Sequence, residues 1–247
     1  MIGSLSVVGV GPGAPNLITP EVSLAMVEAS DLIGYGPYLN RMNIQKNKTL
    51  HASDNRKELE RAELGLELAE SGKKVVIVSS GDPGVFAMAS AVMEAIDNGK
   101  QEWKKVKVSV LPGITAMLAA SAKLGAPLGH DFCGINLSDN LKPWEVIEKR
   151  VTHALQADFV ISLYNPRSVA RPNHLGKILK IVKNFSDNQR IIIFAKAIST
   201  EKEKILVNFI DDADPNFADM STLVIIGSSQ TKAIPDTSFV YSPRSVL

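Results

Sequence analysis

Apolar residues along this chain fall into short strand-like runs separated by longer stretches with helical spacing, and the runs repeatedly stop at glycine and proline. Leu5 to Val10, Leu32 to Tyr35, Lys74 to Val78 and Val106 to Leu111 read as strands. The continuous apolar run of Lys74 to Val78 implies burial on both faces, as in a parallel sheet. Between them, Val22, Leu24, Ala25, Met26 and Val27 suit a helix opened by Thr19 as N-cap, Pro20 in the first turn and Glu21 beside the helix-start amides. Lys57 to Ser71 carries a helical pattern through Leu59, Ala62, Leu66 and Ala69 and is stopped by Gly72, while His51 to Asn55 is polar. Further helices are predicted over Val85 to Ile96 and Ile114 to Leu124.

Gly125-Ala-Pro-Leu-Gly129 interrupts this rhythm and is the expected domain boundary. Beyond it, strands at Phe132 to Leu137 and Phe159 to Leu163 flank a helix starting near Pro143, and Leu175 to Phe185 is a further helix. Ile191 to Ala197, Ile205 to Phe209 and Thr222 to Ile226 then follow with little helix between them, which predicts a mixed or largely antiparallel sheet. The expected fold class is α/β. Residues 1–124 would form a mostly parallel sheet with flanking helices, and residues 125–247 a second α/β domain with a mixed sheet.

Strand ends in open α/β sheets are where ligands bind, so the loops deserve separate readings. Gly9, Gly11 and Ala14 fit a loose Gly-x-Gly-x-x-Gly/Ala pattern, which suggests a nicotinamide or flavin nucleotide. Against it, Pro12 removes an amide donor, Pro15 stiffens the exit, and the second strand ends in Gly34-Tyr35 instead of a ribose-binding acid, with Asp31 at its wrong end. No Gly-Lys-Ser/Thr follows to make a Walker loop. Gly81 and Gly84 permit close approach of backbone to a ligand, and Asp82 sits between them as either a helix cap or an acceptor for hydroxyl, amine or sulfonium groups. Thr115, after Leu111-Pro-Gly113, either caps a helix or contacts a ligand, and Ala116, Ala119 and Ala120 allow close helix packing. Tyr164-Asn165-Pro166 ends a strand of the second half in the same style.

Charge and composition narrow the classes. A formal net charge of +1, with scattered basic residues and no basic face interleaved with aromatics, speaks against nucleic acid. The lone Cys133 excludes an internal disulfide and any multi-cysteine metal site in one chain, and its apolar setting suits a buried thiol. No His-x-x-x-His pattern supports a metal held by the protein, so none is expected. No apolar run approaches the ~20 residues that span a membrane, and the first residues lack a basic leader with an apolar core, so a cytoplasmic location is expected.

Gly9-Val-Gly-Pro-Gly13, Leu17-Ile-Thr-Pro20, Ser80-Gly-Asp-Pro-Gly84 and Leu111-Pro-Gly-Ile-Thr115 resemble the tetrapyrrole methylases, which transfer a methyl group from S-adenosylmethionine. Leu124-Gly-Ala-Pro-Leu-Gly-His-Asp131, Leu137-Ser-Asp139 with Pro143-Trp-Glu145, and Leu163-Tyr-Asn-Pro-Arg167 are similar to the precorrin-3B C17-methyltransferase branch and its cobalt-dependent relatives. The resemblance spans almost the whole chain. It implies S-adenosylmethionine folded between two domains, near Pro12, Gly81, Asp82, Val85, Thr115 and Ala116, with Tyr164, Asn165, Ala197 and Thr222 as further lining positions. It also implies a homodimer, and a reaction that methylates ring carbon C17 while contracting the macrocycle by expelling C20. Lys196-Ala197 departs from the family's usual arginine-asparagine.

A methyl sulfonium is already electrophilic, so the protein must mainly align the attacking carbon and exclude water. Ring contraction calls in addition for a proton donor or acceptor. His130, Ser138 and Asp139 are the catalytic candidates at the entry to the second domain, with Asp131 a weaker orienting partner; capping and structural roles compete for each. A tetrapyrrole carries carboxylates around an apolar ring, and Tyr35, Arg56, Trp144 and Arg167 are the substrate candidates, beside Tyr38, Lys57 and Arg61. The competing accounts are a methylase acting at another ring carbon, a cobalt-containing substrate, an NAD(P)-dependent oxidoreductase, and a noncatalytic tetrapyrrole-binding regulator.

Overall fold

The computed structural model describes residues 2–40, 42, 44–54, 57–185 and 189–245. The chain divides into two compact units, Met1–Thr115 and Ala116–Leu247. The boundary therefore falls before the helix that ends at Leu124, one helix earlier than the glycine-rich interruption at Gly125 suggests.

The first unit runs β1 (Ser4–Gly9), α1 (Pro20–Glu28), β2 (Asp31–Tyr35), α2 (Gly36–Leu39), β3 (Thr49–Ser53), α3 (Glu58–Glu70), β4 (Lys74–Ser79), α4 (Met88–Asn98) and β5 (Lys107–Leu111). Its strands form one sheet in the order β3-β2-β4-β1-β5, every pair parallel. Alternate residues of one strand face opposite ways, and both faces are covered. Leu5, Val7, Val75 and Ile77 pack with Leu66 and Val92 of α3 and α4, while Val8, Leu32, Val76 and Val78 pack with Val22 of α1 and Leu39 of α2. The Thr19 side chain accepts the Val22 amide at 3.3 Å, the cap expected from sequence.

The polar segment at His51 is a strand, a difference from the sequence reading. It is an edge strand with alternately exposed residues, so it lacks the apolar run that marks the inner strands. Helix α4 begins at Met88 and not at Val85, because Phe86 takes a left-handed φ of 53° that a helix cannot include.

The second unit contains α5 (Ala116–Leu124), β6 (Gly125–Ala126), β7 (Phe132–Asn136), α6 (Trp144–Gln156), β8 (Val160–Tyr164), α7 (His174–Phe185), β9 (Ile191–Lys196), β10 (Lys204–Phe209), β11 (Thr222–Ile226), β12 (Lys232–Ala233) and β13 (Val240–Tyr241). Its main sheet has the order β10-β9-β11-β8-β7, parallel only at β7 and β8. The mixed sheet expected from the late run of strands is thus present. Helices α6 and α7 cover one face, where Leu175, Ile178 and Val182 meet Ile161, Phe194 and Val224. A small sheet of β12, β13 and β6 sits at the glycine-rich interruption.

Asp31, at the start of β2, is almost wholly buried. His51 Nε2 lies 2.8 Å from its Oδ1, Lys73 Nζ donates to the same oxygen at 3.0 Å, and the Ser30 hydroxyl donates to Oδ2 at 2.8 Å. Burial raises the carboxyl, but the bonds from His51, Lys73 and Ser30 prevail and hold it below the ordinary 3.8. A depressed folded value stabilises the fold above the unfolded pKa, and that contribution is lost as pH falls through 3.8 toward the folded value. Asp31→Asn should lower stability at neutral pH by about 1–3 kcal/mol and flatten the acid limb of a urea-midpoint against pH plot.

Candidate functional site

Because every strand of the first sheet is parallel, their C-terminal ends lie along one edge, and the order β4-β1-β5 puts the loops after them side by side. Gly11 and Gly81 pair as an isolated bridge, with Gly81 N donating to Gly11 O at 2.8 Å and Gly11 N to Gly81 O at 3.2 Å. A Cβ on Gly9 would fall 2.5 Å from Gly81 O and 2.7 Å from Gly113 N; one on Gly113 would fall 2.2 Å from Gly81 O. Only glycine allows the three loops to touch backbone to backbone. Gly11 and Gly81 also take left-handed φ values of 73° and 65°.

Asp82 locks this junction. Its Oδ1 accepts the Gly84 amide at 2.8 Å and its Oδ2 accepts the Gly113 amide at 3.0 Å. The helix-cap reading of Asp82 is therefore corrected: α4 starts after Ala87, which makes no side-chain cap, and the carboxylate ties two loops together. Val85 lies in the turn that follows, its amide bonded to Asp82 O at 3.2 Å, and Pro12 in the loop after β1. Thr115 is buried beside Gly81, whose added Cβ would meet its Cα at 3.6 Å.

At the second sheet the C-terminal ends of β7, β8 and β9 share an edge with the start of β11. Tyr164 ends β8, and its hydroxyl accepts the Met117 amide in the first turn of α5 at 3.3 Å, next to Ala116. Asn165 and Ala197 both hold left-handed φ values, 50° and 47°, costly for non-glycine residues. The Asn165 side-chain amide donates to Asn136 Oδ1 at 3.0 Å, and the Ala197 amide to Ser221 O at 2.8 Å. Thr222 gives its hydroxyl to Asp219 Oδ1 at 3.0 Å, and Lys196 Nζ lies 2.6 Å from Asp219 Oδ2. Burial works against ionisation here, but Lys196, Ser221 and Thr222 hold the Asp219 carboxyl at about 2. Lys196 is thereby spent on an internal pair. Arg167, Val169, Asp219 and Met220 line an adjoining cavity of about 460 Å³.

His130 is not brought to the other catalytic candidates. It precedes β7 and Ser138 follows it, so a strand about 16 Å long stands between them. His130 Nδ1 is 4.0 Å from Asp131 Oδ2, too long for a hydrogen bond. Ser138 and Asp139 do not cap α6, whose N-cap is Pro143 without a side-chain bond. Asp139 Oδ2 instead lies 3.1 Å from His174 Nε2, with Arg171 Nη1 3.9 Å from Oδ1. Burial raises the Asp139 carboxyl, yet His174 and Arg171 bring it below 3.8. The Trp144 indole stands edge-on to the His174 ring at 4.6 Å. His174 is the residue that sequence reasoning passed over, since a lone histidine at a helix start carries no motif.

Among the substrate candidates, Tyr35 packs edge-on against Tyr38 at 5.1 Å, and Arg167 Nε donates to Pro172 O at 3.1 Å. Arg61 is buried and donates to Ser53 Oγ and Asp54 O at 3.2 and 2.9 Å. Arg56 lies outside the described residues. His51 is turned to Asp31 at the opposite edge of the sheet. Among the described residues no group of three His, Cys, Asp or Glu side chains is placed to hold a metal.

The model of the tetrapyrrole (corrin/porphyrin) methylases matches residues 4–214. The chain belongs to that family. It is 51% identical over 249 residues to a precorrin-3B C(17)-methyltransferase of Sinorhizobium sp, covering 99% of this chain and 97% of the relative. It is also 39% identical to a probable cobalt-factor III C(17)-methyltransferase of Salmonella typhimurium, covering 92% and 93%. The crystal structure of the methyltransferase CobJ superposes with a TM-score of 0.94 at 50% identity, over 98% of this chain and 100% of that one.

S-adenosylmethionine is the methyl donor of this methylase. The first-unit loops suit it. They carry no lysine or arginine, and Asp82 is their one carboxylate. Such an edge of main-chain carbonyls and amides suits a sulfonium and an adenosine, whereas the Asp82 carboxylate sets unfavourable charge beside a pyrophosphate. The family match stands against the oxidoreductase alternative, and Asp31, tied down at the far edge, is not placed to hold a ribose.

In the methylase, Gly113→Ala should cost about 1–3 kcal/mol in urea unfolding and weaken S-adenosylmethionine binding about tenfold by calorimetry. Gly176→Ala is the control. Its Cβ would lie 3.7 Å from Pro215 Cγ inside α7, so it should be neutral or gain up to about 1 kcal/mol.

Proposed function

We propose that this methylase is the S-adenosylmethionine-dependent precorrin-3B C17-methyltransferase of cobalamin synthesis, methylating C17 as the macrocycle contracts. The observation that carries the reading is 51% identity over essentially both full lengths to an enzyme of that name. The cobalt-factor III relatives, at 39% and 36%, make the cobalt-containing substrate the second reading. We further infer that the protein works in the cytoplasm as a homodimer; no helix among the described residues is long and apolar enough to cross a membrane.

The cofactor supplies an electrophilic methyl group on a sulfonium. Pro12, Gly81, Val85, Thr115 and Ala116 shape its binding edge, and Asp82 acts on that edge by clamping the loops. Tyr164, Asn165, Ala197 and Thr222 form the corresponding edge of the second unit. The strained backbone at Asn165 and Ala197 supports this role, since such conformations persist where the surroundings enforce a special shape. Most of the rate comes from alignment and exclusion of water, so single loop variants should lose affinity before they lose turnover.

For the proton transfers of ring contraction we assign the Asp139–His174 pair, with Ser138 beside it. His130, beyond the other end of β7, takes no part. Trp144 and Arg167 lie on the same side of the second sheet as that pair and suit the apolar ring and its carboxylates. Tyr35 and Arg56 are the first-unit residues assigned to the substrate. Asp139→Asn should lower kcat at least about tenfold while leaving S-adenosylmethionine affinity within about twofold, as read by single-turnover kinetics and calorimetry.

Incubation with labelled S-adenosylmethionine and either precorrin-3B or cobalt-factor III, followed by mass analysis and ring-carbon assignment, tests the whole reading. The expected product from precorrin-3B carries the label at C17 and has lost C20 from the ring. Methylation that leaves C20 in the ring would overturn the contraction assignment, and a strong preference for the cobalt-containing ring would favour the second reading.

A further inference from the structure

A second concavity lies in the second unit, on the flank of its main sheet. Strand β7 is the last strand of that sheet, and α6 runs back alongside it, leaving an open groove of about 790 Å³ between them. Cys133, Ile135 and Phe159 make an apolar floor. The wall is a stripe of α6 at helical spacing, Val146, Lys149, Arg150 and His153, and its three polar members are exposed. No acidic residue lines the groove.

The cations of that wall are not neutralised from within. Among the described residues neither Lys149 nor Arg150 makes an ion pair, and the His153 ring nitrogen Nδ1 is 2.7 Å from Lys149 O. A twofold copy of this chain seated here would set one cationic stripe against another, so the charge disfavours self-association through this face. An apolar floor walled on one side by cations fits a flat apolar body with carboxylates on its rim.

We propose that this groove is a second binding site for a polycarboxylate tetrapyrrole, separate from the strand edge that carries methyl transfer. The choice of ligand class rests on the substrate chemistry proposed above; the site itself rests on the groove. A ring held there rests on the sheet flank and leaves the strand edge assigned to methyl transfer free.

Cys133, half-buried in the floor and the chain's one cysteine, is a built-in reporter. The test follows alkylation of Cys133 by iodoacetamide in the full chain by mass spectrometry, with and without uroporphyrin I, an octacarboxylate porphyrin. The porphyrin should slow alkylation at least about fivefold, and raised salt should weaken the protection. Lys149→Glu with Arg150→Glu should weaken protection about tenfold in porphyrin concentration while methyl transfer persists. Ala157→Trp, an exposed position at the groove's end, should slow alkylation without porphyrin. Equal alkylation with and without porphyrin in the unaltered chain would overturn the proposal, as would undiminished protection in the charge-reversed variant. Unreactive Cys133 in a sedimenting dimer would overturn it too, by making this face a subunit interface. Methyl transfer is assayed separately, so failure of the proposed activity would not be mistaken for failure of the groove.

Discussion

Everything at the candidate cofactor edge depends on three loops meeting with no side chain between them. The parallel order β4-β1-β5 delivers the loops to adjacent positions, and the contacts between Gly9, Gly81 and Gly113 then leave less room than any Cβ needs. Asp82 closes the junction by accepting one amide from its own loop and one from the neighbouring loop. A carboxylate that looks available for a ligand is therefore engaged in holding main-chain groups where a ligand would meet them. The binding chemistry left to the edge is that of amides and carbonyls, which suits a cofactor that brings its own electrophile.

The second unit reaches a comparable edge by different means. Its sheet is mixed, so three strands end there and two begin, and the chain leaving them holds Asn165 and Ala197 in left-handed conformations. Side-chain bonds stabilise these turns: Asn165 to Asn136, and the Asp219 carboxylate to Ser221, Thr222 and Lys196. Lys196 is held by Asp219 in a single-point contact of the kind that suits an ammonium.

Three carboxylates, the buried Asp31, the half-buried Asp219 and the exposed Asp139, are resolved in one way. Asp31, Asp139 and Asp219 each pay a desolvation cost that specific donors outweigh, so all three stay ionised below the ordinary carboxyl range. Two of these donors are histidines, His51 and His174, and the pairs differ in placement. The Asp31 pair joins β2 to β3 at the edge away from the cofactor loops, while the Asp139 pair joins the loop after β7 to α7 on the same side as β8's end. Chemistry follows from position here, because the two pairs have nearly the same local composition.

Most strands and helices were legible in the sequence because buried runs and capped amphipathic stretches have strong periods: Thr19 caps α1 as its residue type predicts, and the late cluster of strands makes the mixed sheet. What the periods miss is weakly patterned. Edge strand β3 reads as polar, and the start of α4 is set by the conformation at Phe86. The glycine-proline loops, and with them the family, were fixed by local sequence, since each loop needs particular residues at consecutive positions. Tertiary structure alone decided which side chains were already spent. It assigned Asp82 to a loop clamp, separated His130 from Ser138 by the length of β7, and brought His174 to Asp139 across 35 positions of sequence. Partnerships of that kind depend on where distant segments dock, and no period or spacing along the chain encodes the distance between two groups that meet only after the sheet has formed.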